Sequence, residues 1–130
     1  MTTGRRHSAT MMRAVGWGTL VLLPLAMLAY PPGFLWGTHA ESPHEALSPY
    51  LFMLAALYVA WAILMIRSAA DPLRHRVIVD YGILANGLHA LVMLVQAFVY
   101  PHEIQHLWAD VPALFALCGV LWYWHPARGV

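Results

Sequence analysis

Four apolar runs separated by polar punctuation organise this chain. The first covers residues 14–30, the second 50–66, the third 72–100 and the fourth 108–124. Runs of this length and hydrophobicity are the pattern of helices in lipid. The third run starts at Asp71-Pro72, an acid at the cap position with proline in the first helical position. From Pro72 to Tyr100, at 1.5 Å per residue, it would extend about 43 Å, enough to cross the hydrocarbon core and both headgroup layers. Pro101 ends it. Asp110 followed by Pro112 gives a second start signal for the fourth run. The pattern therefore predicts an all-α, integral membrane four-helix up-down bundle forming one domain over residues 1–130, with short connections between antiparallel neighbours.

The arginines add orientation. There are seven, with no lysine, and they fall in three places: Arg5, Arg6 and Arg13 near the start, Arg67, Arg74 and Arg76 between the second and third runs, and Arg128 after the fourth. The loops at 30–50 and 101–107 hold none. Because arginine and lysine mark the cytoplasmic side, both termini are expected in the cytoplasm. The composition agrees: 61% of residues are hydrophobic and 10% charged, against about 25% charged in a soluble domain. A net charge of +1 leaves no nucleic-acid footprint, and the expected partner is the lipid bilayer. Four short helices enclose little volume, so a homo-oligomer or a larger membrane partner is also expected. The first run is longer than the ~7–15-residue core of a cleaved signal peptide and lacks a small-x-small site before Pro31, so a retained anchor is expected.

Smaller features place the contacts. Gly16 and Gly18 suit a close helix approach, as do Ala56 and Ala60 with Ala55 and Ala62 in the second run. Pro24 is positioned to kink the first helix. The segment PPGFLWGTHAESPHEALSP at 31–49 reads as a loop, with Phe34 and Trp36 at the interface and His39, Glu41, His44 and Glu45 in solvent. Trp108 at one end of the fourth run and Trp122, Tyr123 and Trp124 at the other read as aromatic belts. Cys118 reads as buried and inert. Asp80 is expected to pair with Arg76 one turn away, and His75 and His125 to be solvated.

Candidate chemistry centres on His89, near the middle of the third run. An ionisable group at that depth is costly and turns toward the bundle interior or a water-filled cavity. At about 100° per residue, Gly82, Asn86, Met93, Gln96 and Tyr100 fall within about 60° of it. This makes one polar stripe with His89, Asn86, Met93 and Gln96 as candidate ligand-binding residues. Interhelical hydrogen bonding alone would also account for such a stripe. A second constellation, His102-Glu103-Ile104-Gln105-His106, matches H-E-x-x-H, which on a helix sets two imidazoles on one face for zinc. Asp110 lies one turn on. His89, His102, His106 and Asp110 are thus the candidate metal ligands, for a divalent metal or haem, while a chance match and a capping role for Asp110 are the plainer readings. No serine triad, phosphate loop or CxxC is present, and no catalytic residue is assigned.

From Pro72 onward three stretches, DPLRHRVIVD, NGLHALVMLVQA and HLWADVPALFAL, resemble a family of small four-span bacterial membrane proteins defined only as a domain of unknown function, loosely similar in layout to DoxX-like proteins. The matching positions are Pro72, Leu73 and Arg76, then His89, Met93, Gln96 and Ala97, then His106, Leu107, Asp110, Val111, Ala113 and Leu114. Val77 departs from the polar residue of the pattern. The resemblance implies four helices, a bacterial inner membrane and no known activity. It has counterparts for His106 and Asp110 but not for His102 and Glu103, which favours His89, Gln96, His106 and Asp110 over the H-E-x-x-H reading. Three functions follow as expectations: an accessory or small-ligand-binding subunit with a polar site in the outer half of the bundle, a metal- or haem-binding redox or hydrolytic protein, and a proton or small-solute transporter centred on His89.

Overall fold

The computed structural model describes residues 3–29 and 49–129. It is all-α: α1 (Thr3–Ala29), α2 (Pro49–Ser68), α3 (Val77–Val99) and α4 (Asp110–Tyr123), with 3₁₀ segments at Pro101–Leu107 and Pro126–Gly129. There is no strand among the described residues. The predicted loop at 31–49, with Phe34, Trp36 and its histidines and glutamates, lies almost entirely outside them.

The start of α1 differs from expectation. Arg5, Arg6 and Arg13 lie within the helix instead of preceding it. Nothing between Thr3 and Val15 breaks a helix, so the backbone continues past the apolar run into the basic segment. Ser8 Oγ and Thr10 Oγ1 each donate back to the carbonyl four residues earlier, at 3.2 and 3.0 Å. The helix also runs through Pro24 without ending there.

The expected start of α3 at Pro72 is corrected to Val77. Asp71 does act as a cap, since the Arg74 amide donates to its Oδ1 at 3.4 Å and the His75 amide to its carbonyl at 3.2 Å. It caps a single turn. The Ile78 amide then bonds back to His75 and the Val79 amide to Arg76, three residues each, before regular spacing begins. Pro72 is fully buried, and burying it tucks this turn under the bundle instead of extending α3. The helix is 23 residues, about 35 Å.

Cross-helix contacts fix the arrangement. Gly16 meets Ala62 and Ile66, Trp61 bonds to Ile78 and Tyr58 to Asn86, and Cys118 Sγ donates to the Ile83 carbonyl at 3.4 Å. Along each pair, rising numbers on one helix meet falling numbers on the next, so neighbours are antiparallel. The main pairs are α1 with α2 and α3 with α4, and α2 packs on α3. The core sits at one end: Met11, Met12, Trp61, Met65, Ala69, Val79 and Leu121 form a buried cluster. All seven arginines are exposed, on the segments that converge at this end.

Gly16 carries the α1–α2 approach. A Cβ there would lie 2.6 Å from Ile66 Cγ1 and 2.8 Å from the Ala62 carbonyl oxygen. Ile66 can shift, but the carbonyl is backbone and cannot. Gly16→Ala is therefore expected to destabilise the fold by about 1–3 kcal/mol, read as a lower unfolding midpoint in detergent. Two small-residue expectations fail. Ala56 and Ala60 are exposed, while the contact falls on buried Ala62, because α2 turns that face to Gly16. Gly18 makes no close approach, since no atom lies within 4 Å of the place a methyl group on it would occupy.

Polar partners at the arginine end are also corrected. Asp80 does not pair with Arg76 as expected; its Oδ1 lies 3.0 Å from His125 Nε2. That is ion-pair distance, though off the line of a hydrogen bond. His125 is not solvated. Its side chain is only 10% exposed, held by the Ala127 amide donating to Nδ1 at 3.2 Å. The turn after α4 brings it back over α3, which sequence spacing does not show. Arg128 stacks on Trp122, 5.2 Å from the ring centre. Cys118 is only partly buried.

Candidate functional site

Above the core, the four helices stop filling the space between them. A cavity of about 630 Å³ opens there, lined by α1 from Ala14 to Met27, by Leu54 and Tyr58 of α2, by His89 and Met93 of α3, and by Asp110 to Leu117 of α4. The α1 lining covers 14 residues on one helical stripe, about 20 Å of length. The lining is overwhelmingly apolar. Thr19, Tyr58, His89 and Asp110 are its polar members. Its volume falls inside the range of roughly 300–1,000 Å³ typical of small-molecule sites, and a few polar groups in an apolar wall are the usual composition. A second pocket of about 110 Å³ lies between α2 and α3, with Tyr58, Asn86 and His89 on its wall.

The smaller pocket beside the cavity is walled by the polar stripe of α3. Asn86 is buried, its Nδ2 donating to the Gly82 carbonyl at 2.7 Å. Its Oδ1 accepts from the Tyr58 hydroxyl at 2.9 Å. Below this, Trp61 is buried against Gly82, so close that a Cβ on Gly82 would overlap the indole, and Nε1 donates to the Ile78 carbonyl at 3.1 Å. One face of α2 thus sets Tyr58 and Trp61 against α3. The two rings meet edge-on with centres 6.4 Å apart. The Tyr58 ring centre is also 6.4 Å from that of His89.

The polar rim comes from the α3–α4 connection. The segment Pro101–Leu107 is 3₁₀, and its last turn brings buried His106 against α4, where Nδ1 contacts Asp110 Oδ2. The sequence points to Asp110 as the cap of α4. The cap position is Ala109 instead, with no side-chain bond, so the Asp110 carboxylate is free to bond His106 while remaining in the first turn, where the helix dipole favours it.

Of the residues singled out from sequence, His89, Met93 and Asp110 line this cavity, Asn86 lines the smaller pocket beside it, and His106 contacts Asp110. Gln96 is not among them. It is exposed and absent from the cavity wall, because the stripe drifts outward along the last two turns of α3. The H-E-x-x-H reading needs an α-helix, in which residues four apart share a face. In the 3₁₀ geometry observed, residues three apart eclipse and those four apart do not. The side chains of His102 and Glu103 lie outside the described residues. Among the described residues, no group of three or more His, Cys, Asp or Glu is placed to hold a metal ion.

The residue that sequence reasoning passes over is Tyr58. It is the only hydroxyl between Phe52 and Arg67, and a tyrosine far from either end of an apolar helix needs a partner for its hydroxyl. That is the available signal. Tyr58→Phe would leave Asn86 Oδ1 without its donor and is expected to cost about 0.6–1.7 kcal/mol, the range for interhelical hydrogen bonds in membrane bundles. Unfolding from mixed micelles would read it. Adding Asn86→Leu to Tyr58→Phe removes the orphaned oxygen and is expected to recover part of the loss. Equal stability of Tyr58→Phe and the wild type would show that the bond contributes nothing.

A family model matches residues 7–130. The chain belongs to DUF6632, a family of unknown function. No curated protein and no solved structure matches it. The DUF6632 match takes in the greater part of α1 and all of α2, α3 and α4, so every wall of the cavity falls within the family's own region.

Proposed function

We propose that this chain is an integral membrane protein of four spans, with its arginine-bearing end and both termini in the cytoplasm, that binds a small apolar-bodied molecule in the outer half of the bundle. The observation that carries the reading is the cavity. All four helices line it, and Thr19, Tyr58, His89 and Asp110 are the few polar groups in its apolar wall.

Membrane residence is supported by three features. α1 and α3 each contain a segment long and apolar enough to cross a bilayer, and α2 is apolar from Phe52 to Ser68. Large apolar side chains cover the outside of the bundle, including Phe98 at 75% and Trp108 at 85% exposure. A soluble monomer rarely exposes so continuous an apolar surface. Finally, the arginines gather at one end, in line with the orientation rule. α4 has 14 residues, about 21 Å, which is short of the ~30 Å hydrocarbon core. The 3₁₀ segments on either side extend it. The bacterial inner membrane is the compartment implied by the sequence resemblance.

Binding fits better than conduction. The half of the bundle below the cavity is packed with Met12, Met65, Val79 and Leu121, so no polar path continues from His89 to the arginine end. An accessory subunit that holds a ligand needs only the upper half to be open.

Single cysteines introduced at positions 39 and 74 in a Cys118→Ala background test the orientation. An impermeant thiol reagent added outside spheroplasts is expected to label position 39 and not 74. Labelling of both from the same side would overturn the four-span arrangement. For the binding claim, native mass spectrometry of protein released from its membranes is expected to show a bound small molecule at up to one per chain, with no such adduct overturning it.

A further inference from the structure

The polar groups of the cavity are unbalanced, and the imbalance selects a ligand. The Tyr58 hydroxyl spends its proton on Asn86 Oδ1, so its oxygen faces other partners only as an acceptor. Asn86 Nδ2 donates one of its two N–H groups to the Gly82 carbonyl and lies outside the cavity's lining. An ionised Asp110 accepts and does not donate, and His106 Nδ1 contacts its Oδ2. His89 in its neutral form offers one donor and one acceptor. Thr19 adds a hydroxyl that can donate or accept, so the cavity wall presents acceptors in excess and one carboxylate in an otherwise apolar lining. No arginine lines it; all seven are at the other end.

We propose that the cavity takes a lipophilic amine: a molecule whose apolar body lies along the α1 stripe from Ala14 to Met27 and whose ammonium donates to Asp110. This rests on the binding reading given above and names the ligand class for the same site. His106 already contacts Asp110 Oδ2, and an ammonium donating to the same carboxylate adds a charge-assisted hydrogen bond, among the stronger pairings available. An acidic head would meet the carboxylate with like charge and find few donors. A neutral alcohol would fit but gain less.

The test compares four probes of one chain length on the wild-type protein in lipid nanodiscs: dodecylamine, dodecyltrimethylammonium, dodecanol and dodecanoic acid. Each competes with a diazirine-bearing dodecylamine whose adducts are mapped to peptides. Dodecylamine is expected to compete at least about tenfold better than dodecanol, the factor expected of a hydrogen bond to a charged group. Dodecyltrimethylammonium, a cation with no N–H, falls between them, and dodecanoic acid competes least. Asp110→Asn, which keeps the shape and loses the charge, is expected to erase the difference between amine and alcohol while leaving alcohol competition in place. Equal competition by all four heads, or a preference for the acid, overturns the amine assignment while leaving the cavity as a binding site. No specific adduct on cavity peptides with any probe overturns both readings. The four-probe ranking stands on the wild-type protein, so a poorly folded Asp110→Asn cannot mask the answer.

Discussion

Replacing Trp61 with alanine is expected to cost about 3–5 kcal/mol of stability, the largest loss of any single change in this bundle, as for other buried aromatics cut to alanine. Three contributions add. Trp61 is buried in the core cluster, and its removal opens a void beside Met65 and Val79 that neighbouring side chains cannot fill. Its Nε1 donates to the Ile78 carbonyl and ties α2 to the first turn of α3. Its ring lies against Gly82, where no other residue of α3 would allow so close an approach. The α2–α3 contact is slender compared with the α1–α2 and α3–α4 pairs, so the two helical hairpins depend on this residue for their register. Trp61→Phe keeps much of the bulk and loses the hydrogen bond, and a smaller loss is expected. Reversible unfolding from mixed micelles measures both. A cost for Trp61→Ala below about 1 kcal/mol would mean that the hairpins are held together elsewhere.

Gly18→Phe is expected to act in the opposite way, leaving the fold intact and closing the site. Gly18 lines the cavity, and nothing stands within 4 Å of the position a Cβ would take. A phenyl group there would enter the empty space of the cavity. It would gain dispersion contacts that the cavity walls now lack, so stability is expected to hold or rise by up to about 1 kcal/mol. Ligand capture is expected to fall at least about tenfold, because the ring divides the α1 stripe along which an apolar body would lie. The contrast with Gly16, two residues away, is the informative control. Gly16→Ala presses on the Ala62 carbonyl and weakens the fold, whereas Gly18→Phe fills a space. A Gly18→Phe protein that unfolds readily, or that binds as the wild type does, would show that the cavity is not where the structure puts it.

Much of this architecture is legible in the chain. Four apolar runs correspond to four helices, and the second and fourth agree with the observed elements to within two residues at each end. The ends that differ share a cause. Asp71-Pro72 carries a start signal, but a local signal says only that a turn can begin there. Burial of Pro72 decides that the turn stops and α3 begins again at Val77. At α1, the apolar run marks the part suited to lipid, while the helix itself is set by backbone propensity and continues back to Thr3.

The site is half legible. The polar stripe on α3 is visible because helical periodicity puts Asn86, His89 and Met93 on one face, and these three do face neighbouring helices or the cavity. Gln96 obeys the same periodicity and still points away, because periodicity says which residues share a face and not where the neighbouring helix ends. His106 and Asp110 come together through a 3₁₀ turn that has no sequence signature. The contribution of α1, including Thr19 and Gly18, is hidden for a plainer reason: an apolar helix in lipid can turn any side inward, and only packing chooses. Asp80 and His125 are 45 positions apart in the chain and meet through the fold of the α3–α4 hairpin.

The most direct measurement is an adduct map. A diazirine-bearing dodecanol, neutral and therefore indifferent to the head-group question, would be irradiated with the protein in lipid nanodiscs and its adducts located by peptide sequencing. The account predicts adducts on the cavity-facing residues of α1 and α4, between Gly18 and Met27 and between Ala113 and Leu117, that excess dodecanol competes away and Gly18→Phe abolishes. Adducts confined to the outward faces, at residues such as Leu84, Leu88 and Val95, with the cavity walls unlabelled, would contradict it.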